Sequence, residues 1–320
     1  MAPAAPPLAA IVGPTASGKS ALALRLARAR GGEIVSCDSL QVYRGLDVGS
    51  AKATAEERRE VRHHLVDVAE PEEVFSAAEY VRLARAALSE IAARGALPIL
   101  AGGTGLYLRA LLLGLFEGPS RDARLRRRLE AIADRHGERR LHRLLAKVDP
   151  TAAGRIHPHD RVRTVRALEV YWTSRRPISA QQAATTGGLS GFRVRVFGLA
   201  PPRAALRRSV EQRTRGMLEH GLLEEVHALL ARGLSPTLFP LRAIGYLQAV
   251  ALLRGELTPD AALAAIVTET MRYAKRQMTW FRHQQPGVTW FEDGDRAYRA
   301  IEDWLDEPEA GSGGLGGPKP

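Results

Sequence analysis

The sequence predicts an α/β protein: a parallel, doubly wound sheet flanked by helices, with a helical, basic insertion domain. Three observations predict it. Short apolar strand patterns alternate with helical ones up to residue 115, and a further strand pattern followed by helices appears after 191. Two of the strand patterns run straight into glycine loops, GPTASGKS at 13–20 and GGTG at 102–105. Between the two halves lies a stretch dense in arginine, with nine arginines against four acids over 121–143.

Taken in order, 8–12 has the continuous apolar run of a buried strand, and 17–28 that of a helix. A second strand is expected at 33–37, ending on Asp38, and a third at 65–68. A helix follows over 75–94, where alanine and leucine recur at helical spacing. The stretch ALPILAGGTGLY gives the fourth strand and its glycine loop, and 107–115 is helical again. Residues 119–191 form the expected insertion, helical and basic, ending in the polar, small-residue run 181–191. The strand pattern 192–199 returns the chain to the core, and helices are expected over 203–219, 222–232, 242–254 and 259–283. The domains are thus 8–118 with 192–305 as the core, 119–191 as the insertion, and 306–320 as a glycine-rich, disordered tail. Ligands of such sheets sit at the carboxyl ends of the strands, where Gly13, Asp38 and Gly102 all fall.

The chain has 320 residues, 45% of them hydrophobic, and 46 Lys and Arg against 35 Asp and Glu, a formal net charge of +11. That surplus fits either a polyanionic partner or a solvated arginine-rich surface. One cysteine, Cys37, excludes a disulfide framework and a cysteine zinc site. The N-terminus lacks a basic leader pattern and no apolar run has the length of a membrane span, so a cytoplasmic protein is expected, without membrane contact and acting as a monomer.

Gly13, Pro14, Thr15, Ala16, Ser17, Gly18, Lys19 and Ser20 satisfy G-x-x-x-x-G-K-[ST]. Backbone N–H groups of such a loop wrap a phosphate, and the following helix adds a favourable dipole. Lys19 would reach the outer phosphate and the Ser20 hydroxyl suits Mg²⁺. The core expected is P-loop NTPase-like. The motif specifies a pyrophosphate-like group and does not specify ATP. Asp38 reads either as a general base facing the crevice or as the cap of the turn beginning at Ser39. Asp67 is a rival metal ligand or a structural acceptor, and His63 and His64 read as structural. Thr104 in the second glycine loop is a candidate donor to a ligand. Arg213 is a candidate pyrophosphate clamp, whereas Arg207, Arg208 and Arg215 read as an exposed face. In MRYAKRQMTWFRHQ, cations interleave with aromatics and no acid is present. This suits a nucleic acid, or a core helix with snorkelling cations.

The ordered set GPTASGKS, DSLQVYRGLDVGSAK, HHLVD, AGGTGLY, RVRTVRALEV, VEQRTRGML, LRAIGYLQ and AKRQMTWFR resembles the tRNA dimethylallyltransferases, or tRNA isopentenyl transferases, over about 8–290. The resemblance implies transfer of the dimethylallyl group from dimethylallyl diphosphate to the exocyclic amine of the adenine 3′ of the anticodon, with Mg²⁺ assisting departure of diphosphate. It places the diphosphate along 15–20, makes Asp38 the general base, and has Lys19, Arg213 and Mg²⁺ stabilise the leaving group. It puts Thr104 and Asp38, Ser39, Leu40 and Gln41 at the target nucleotide. The tRNA anticodon stem-loop would be gripped by Arg126, by Val162, Arg163, Thr164, Val165 and Arg166, by Arg242, Ala243, Ile244, Gly245, Tyr246 and Leu247, and by Lys275, Arg276, Gln277, Met278, Thr279, Trp280, Phe281 and Arg282. GSAKA stands where the family has GTAKP, so Ser50 and Ala53 depart from the pattern. The chain is similar to the bacterial form, without the zinc finger of eukaryotic members. A small-molecule kinase and a non-catalytic RNA-binding protein remain as other classes; the basic insertion argues against the first, and the intact set Lys19, Ser20, Asp38 and Arg213 against the second.

Overall fold

The computed structural model describes residues 5–116, 118–119, 122–184, 187–285 and 287–307. The chain divides into two compact units, one built from the chain up to Leu111 and from Leu189 onward, the other from 112–188. The expected insertion began at 119. The compact unit starts earlier because it takes in the end of a helix that begins in the first unit.

The first unit is a six-stranded sheet. In chain order it contains β1 (Pro7–Val12), α1 (Lys19–Arg30), β2 (Gly32–Cys37), α2 (Ala55–Glu60), β3 (His63–His64), α3 (Ala77–Ala93), β4 (Leu97–Gly102) and α4 (Gly105–Leu113), whose last two residues enter the second unit. The strand order is β3-β2-β4-β1-β5-β6 and every pairing is parallel. Strand order reverses at β1, so the crevice at its carboxyl end is the place where such sheets bind ligands. The central strands are buried on both faces, which is why they read as unbroken apolar runs rather than alternating ones.

Among its described residues the second unit is helical: α5 (Ala123–His136), α6 (Glu138–Val148), α7 (Pro150–Arg155), α8 (Arg161–Ser174) and α9 (Ile178–Ala183). Leu129, Leu141, Leu145, Val165, Leu168 and Val170 form its core. Asp149 is buried, caps α7 through the Ala152 N–H at 2.9 Å, and accepts from both the N–H and hydroxyl of Ser179.

The chain re-enters the first unit as β5 (Arg193–Leu199), then α10 (Arg203–Glu219), α11 (Leu222–Ala231), a 3₁₀ turn (Pro240–Arg242), α12 (Tyr246–Leu253), α13 (Pro259–Gln284), β6 (Val288–Phe291) and α14 (Gly294–Asp306). Several expectations are corrected. The third strand lies at His63–His64, not 65–68, because Leu65 and Asp67 turn left-handed (φ 60° and 58°). The helix expected over 242–254 breaks at Gly245 (φ 95°) into the 3₁₀ turn and α12. Asp306 belongs to α14 and pairs with Arg30, so the ordered chain outlasts the expected boundary at 305; the tail at 308–320 lies outside the described residues. Among the described residues, no helix is long and apolar enough to cross a membrane.

Candidate active site

The loop between β1 and α1 is fixed by two outside contacts, both at Thr15. Arg213, from α10, donates to Thr15 Oγ1 at 2.6 Å. Gln277, from α13, accepts from the Thr15 N–H at 2.9 Å through Oε1 and donates to Gly103 O at 2.9 Å through Nε2. One amide therefore joins the first glycine loop to the second. Within the loop, Ser17 N–H donates to Pro14 O at 3.3 Å and Lys19 Nζ to the same oxygen at 3.2 Å. Ala16 (φ 63°) and Gly18 (φ 89°) adopt left-handed backbone. For alanine that conformation is strained, a feature found where a loop is shaped for a ligand. The Ser17 hydroxyl is buried and makes no hydrogen bond among the described residues. Such an orphan polar atom inside a phosphate-loop motif fits an incoming acceptor.

Asp38 follows β2 and Thr104 follows β4. The capping bond of Asp38 is present, Oδ1 accepting from the Leu40 N–H at 2.9 Å, and the carboxylate lies within electrostatic reach of Lys19 and Arg213. Thr104 Oγ1 accepts from the Ser39 N–H at 3.0 Å, and Thr104 N–H donates to Cys37 O at 3.1 Å. The Thr104 hydroxyl keeps its own proton to donate. Burial pushes the Lys19 ammonium down to about 8; Asp38 opposes that fall and Arg213 adds to it. Burial likewise lowers Arg213, with Asp38 opposing. The crevice thus holds two cations whose charge is costly until an anion arrives. Burial pushes the Cys37 thiol up to about 12, which leaves it unreactive. Tyr273 of α13 also senses Asp38: burial, then the carboxylate, push its hydroxyl up to about 12.

Asp67 is occupied elsewhere. Lys52 and Arg58 donate to it at 2.6 and 2.7 Å, and although burial pushes its carboxyl up, these bonds outweigh burial and hold it below the usual range. It is a structural acceptor, not a metal ligand. His64 pairs with Glu33 at 2.6 Å and His63 with Val61 O at 2.8 Å, both away from the loop motif. Among the described residues no group of three acids, histidines or cysteines is arranged to hold a metal. The donor set that exists, the exposed Ser20 hydroxyl at the start of α1 with Asp38 nearby in the fold, fits Mg²⁺ only if phosphate oxygens and water complete its shell.

Several residues expected at a nucleic acid are interior. Phe281 is 1% exposed and packs edge-on against Trp280 and Trp290. Gln277 is the buried clamp just described. Trp280 covers Gly105, where an added Cβ would stand 2.2 Å from the indole. Tyr246 is fully buried and donates to Glu225 at 2.6 Å, and Gly245 is buried beside it. Gln41 is committed to the chain: its Oε1 accepts from Ser36, and its amide group donates to Ser50 O and Ala51 O. Packing and these hydrogen bonds hold the side chains in place, and of them Trp280 and Gln41 stay half-buried. Arg242, Leu247, Lys275, Arg276, Thr279 and Arg282 are exposed, while Ala243, Ile244 and Met278 are half-buried. Lys275 and Arg272 also line a cleft of about 290 Å³ with Arg203 and Arg207.

In the helical unit, Thr164 and Val165 are core residues of α8, whereas Val162 and Arg163 are exposed. Arg126 and Arg166 converge on Glu169, whose side chain is fully buried; they stand 3.2 and 2.9 Å from it, and the Asp122 N–H donates to the same carboxylate. Arg166 also donates to Pro119 O. Both guanidiniums are therefore partly occupied inside the unit. Sequence reasoning missed the Gln277 clamp, the Thr104–Ser39 link and the bonds of Glu225. Their partners lie 21 to 262 residues apart, beyond any local pattern.

The family model described as IPP transferase matches residues 41–284. The chain is 52% identical over 285 residues to the tRNA dimethylallyltransferase of Anaeromyxobacter dehalogenans, covering 88% of this chain and 94% of that protein. It is 47% identical over 300 residues to that of Solibacter usitatus, covering 94% and 97%. Among solved structures, the full-length tRNA isopentenylpyrophosphate transferase of Bacillus halodurans matches with a TM-score of 0.66 at 39% identity, over 93% of this chain and 95% of that one.

Proposed function

Given that the chain belongs to the IPP transferase family, we propose that it moves the dimethylallyl group of dimethylallyl diphosphate onto the exocyclic amine of the adenine 3′ of a tRNA anticodon, releasing diphosphate. The observation that carries the reading is the pairing of Arg213 with Thr15 beside Lys19 and Asp38. Two partly desolvated cations face a phosphate loop, and one carboxylate stands within their field. That set suits departure of a diphosphate next to a proton acceptor.

The adenine amine attacks the allylic C1, a C–N bond forms, and the C1–O bond breaks with its electron pair leaving on diphosphate. The amine proton passes to Asp38, whose capping bond to Leu40 fixes its orientation. Lys19 and Arg213 neutralise the charge that grows on the leaving oxygens. Ser20 would hold Mg²⁺, which supplies further Lewis-acid stabilisation of the diphosphate when bound. Thr104 donates its hydroxyl proton to the target nucleotide. Arg163, Arg242, Lys275, Arg276 and Arg282 supply exposed cations for tRNA phosphates. The protein works as a cytoplasmic monomer.

The test is transfer of label from the five-carbon group of dimethylallyl diphosphate to unmodified tRNA in the presence of Mg²⁺, with a parallel reaction holding ATP labelled at its outer phosphate. Label entering tRNA from the prenyl donor alone supports the reading. Label moving only from ATP overturns it in favour of a kinase.

A further inference from the structure

The segment 38–52 carries Asp38 on one end and is held from below by a carboxylate with no part in the proposed chemistry. Glu225, in the first turn of α11, accepts from three successive backbone N–H groups: Asp47 at 2.7 Å, Val48 at 2.6 Å and Gly49 at 3.2 Å. The Tyr246 hydroxyl, buried at the start of α12, donates to the same carboxylate at 2.6 Å. Four donors on one half-buried carboxylate exceed what a simple surface pair requires, and charge-assisted bonds of this kind are the strong ones. Gly49 is needed for the approach, since a Cβ there would lie 2.5 Å from the Tyr246 ring.

The turn so held is tied directly to the catalytic end of the segment. Ala51 N–H donates to Val48 O at 3.0 Å and Lys52 N–H to Asp47 O at 3.1 Å. The Gln41 amide group donates to Ser50 O and Ala51 O, while its oxygen accepts from Ser36 on β2. Lys52 Nζ, itself buried, donates to Tyr43 O, Asp47 Oδ1 and Asp67 Oδ1. Displacement of 47–49 therefore moves the acceptors of Gln41, three residues from Asp38. The other end of the link is Tyr246, inside the segment 242–247 whose Arg242 and Leu247 are exposed.

We infer that Glu225 is a positioning residue: with Tyr246 it clamps the 47–49 turn, and through Gln41 it holds Asp38 in place and couples that position to the exposed 242–247 surface. The inference rests on the proposed transfer reaction for its kinetic consequence, and on hydrogen bonds alone for its structural one. The two are tested separately on the full chain.

Hydrogen exchange of the free protein reads the clamp without any substrate. In Glu225→Gln, one acceptor oxygen is replaced by a donor. Exchange in peptides covering 38–52 is expected to quicken tenfold or more, with peptides covering 13–20 unchanged. Tyr246→Phe removes one hydroxyl and leaves the three N–H bonds, so a smaller change confined to the same peptides is expected. Unchanged exchange at 38–52 in both variants overturns the clamp. Faster exchange everywhere in Glu225→Gln, with no local change in Tyr246→Phe, also overturns it, since that pattern is global destabilisation. In the transfer assay, Glu225→Gln is expected to lower kcat ten- to a hundredfold with KM for dimethylallyl diphosphate within twofold. Equal loss in both parameters overturns the positioning role. Absence of transfer by the unmodified protein, with the exchange pattern as expected, leaves the clamp standing and removes the proposed function instead.

Discussion

Asp38 is the residue on which the proposed chemistry turns, and the structure offers a clean substitution. Asparagine keeps the oxygen that accepts from Leu40 N–H, so the turn survives while the proton acceptor is lost. Asp38→Asn is expected to slow single-turnover transfer by about 10²–10⁴-fold, the range for removing a general base, with tRNA retention on filters preserved. A rate within a few-fold of the original means another group takes the proton. Lys19 gives a prediction of opposite sign in stability and in binding. Its proton affinity falls from 10.5 in the unfolded chain to about 8 in the folded one, chiefly through burial. Below pH 8 both states are protonated and the full penalty of the buried charge is present, on the order of 3 kcal/mol. Between pH 8 and 10.5 the unfolded chain binds more protons, so the penalty fades as pH rises. Lys19→Met is therefore expected to raise the urea midpoint of the ligand-free protein at pH 7, with the advantage shrinking towards pH 10. Diphosphate affinity should move the other way, collapsing in the variant and weakening in the parent as pH climbs past 8. Equal urea midpoints at pH 7 would show that the ammonium carries no penalty.

Elements are assembled here by a few long-range polar contacts, and Gln277 is the one that joins two loops and a helix. Gln277→Leu leaves the Thr15 N–H and the Gly103 carbonyl without their partner, at about 1–3 kcal/mol each. The melting midpoint is expected to fall by roughly 5–10 °C, and KM for the diphosphate to rise because the phosphate loop loses its brace. A melt within 1 °C of the parent, as read by calorimetry, would sink the brace. The same elements show what the sequence makes legible. The strands at 8–12, 33–37 and 192–199 lie within a residue of β1, β2 and β5, since a buried parallel strand is an unbroken apolar run and is easy to see. The third strand differs from its expected place because LVDV looks extended, whereas Lys52 and Arg58 pull Asp67 into a left-handed turn that no local propensity records. Helix α14 is not among the expected helices, although Ala297, Ile301 and Trp304 recur at helical spacing behind the Asp293 cap. In the site, Gly13–Ser20 announces itself because phosphate binding imposes a local spacing. Glu225 and Gln277 do not, because Glu225 stands beside an equally acidic Glu224 and Gln277 sits among residues that look like an RNA-facing surface. Their partners are set by tertiary contact alone.

At the scale of the whole molecule, the net charge of +11 is an average over cations with quite different duties. Arg126 and Arg166 neutralise the fully buried Glu169, and Arg30 is held by Glu302 and Asp306. Such cations hold the protein together and are only partly available to a polyanion. Arg163 is different: its side chain is 68% exposed and, among the described residues, its ion pair is to Asp160 in the same helical turn, 3.3 Å away in solvent, a contact worth little. Phosphate binding releases counterions, so log K falls against log salt in proportion to the number of phosphates engaged. Arg163→Ala is accordingly expected to reduce that slope by about one with the melting midpoint unchanged. Arg126→Ala should differ in kind, lowering the melting midpoint by several degrees, since it strips a buried carboxylate of one of its two guanidiniums. Its effect on tRNA affinity should follow that loss of folded structure as well as the lost charge. Titration of labelled tRNA between 50 and 200 mM salt, run beside thermal melts of the same preparations, separates the two. An Arg126→Ala protein that melts like the parent but loses salt dependence would return that arginine to the binding surface, and an unaltered slope in Arg163→Ala would take the exposed end of α8 out of the tRNA interface.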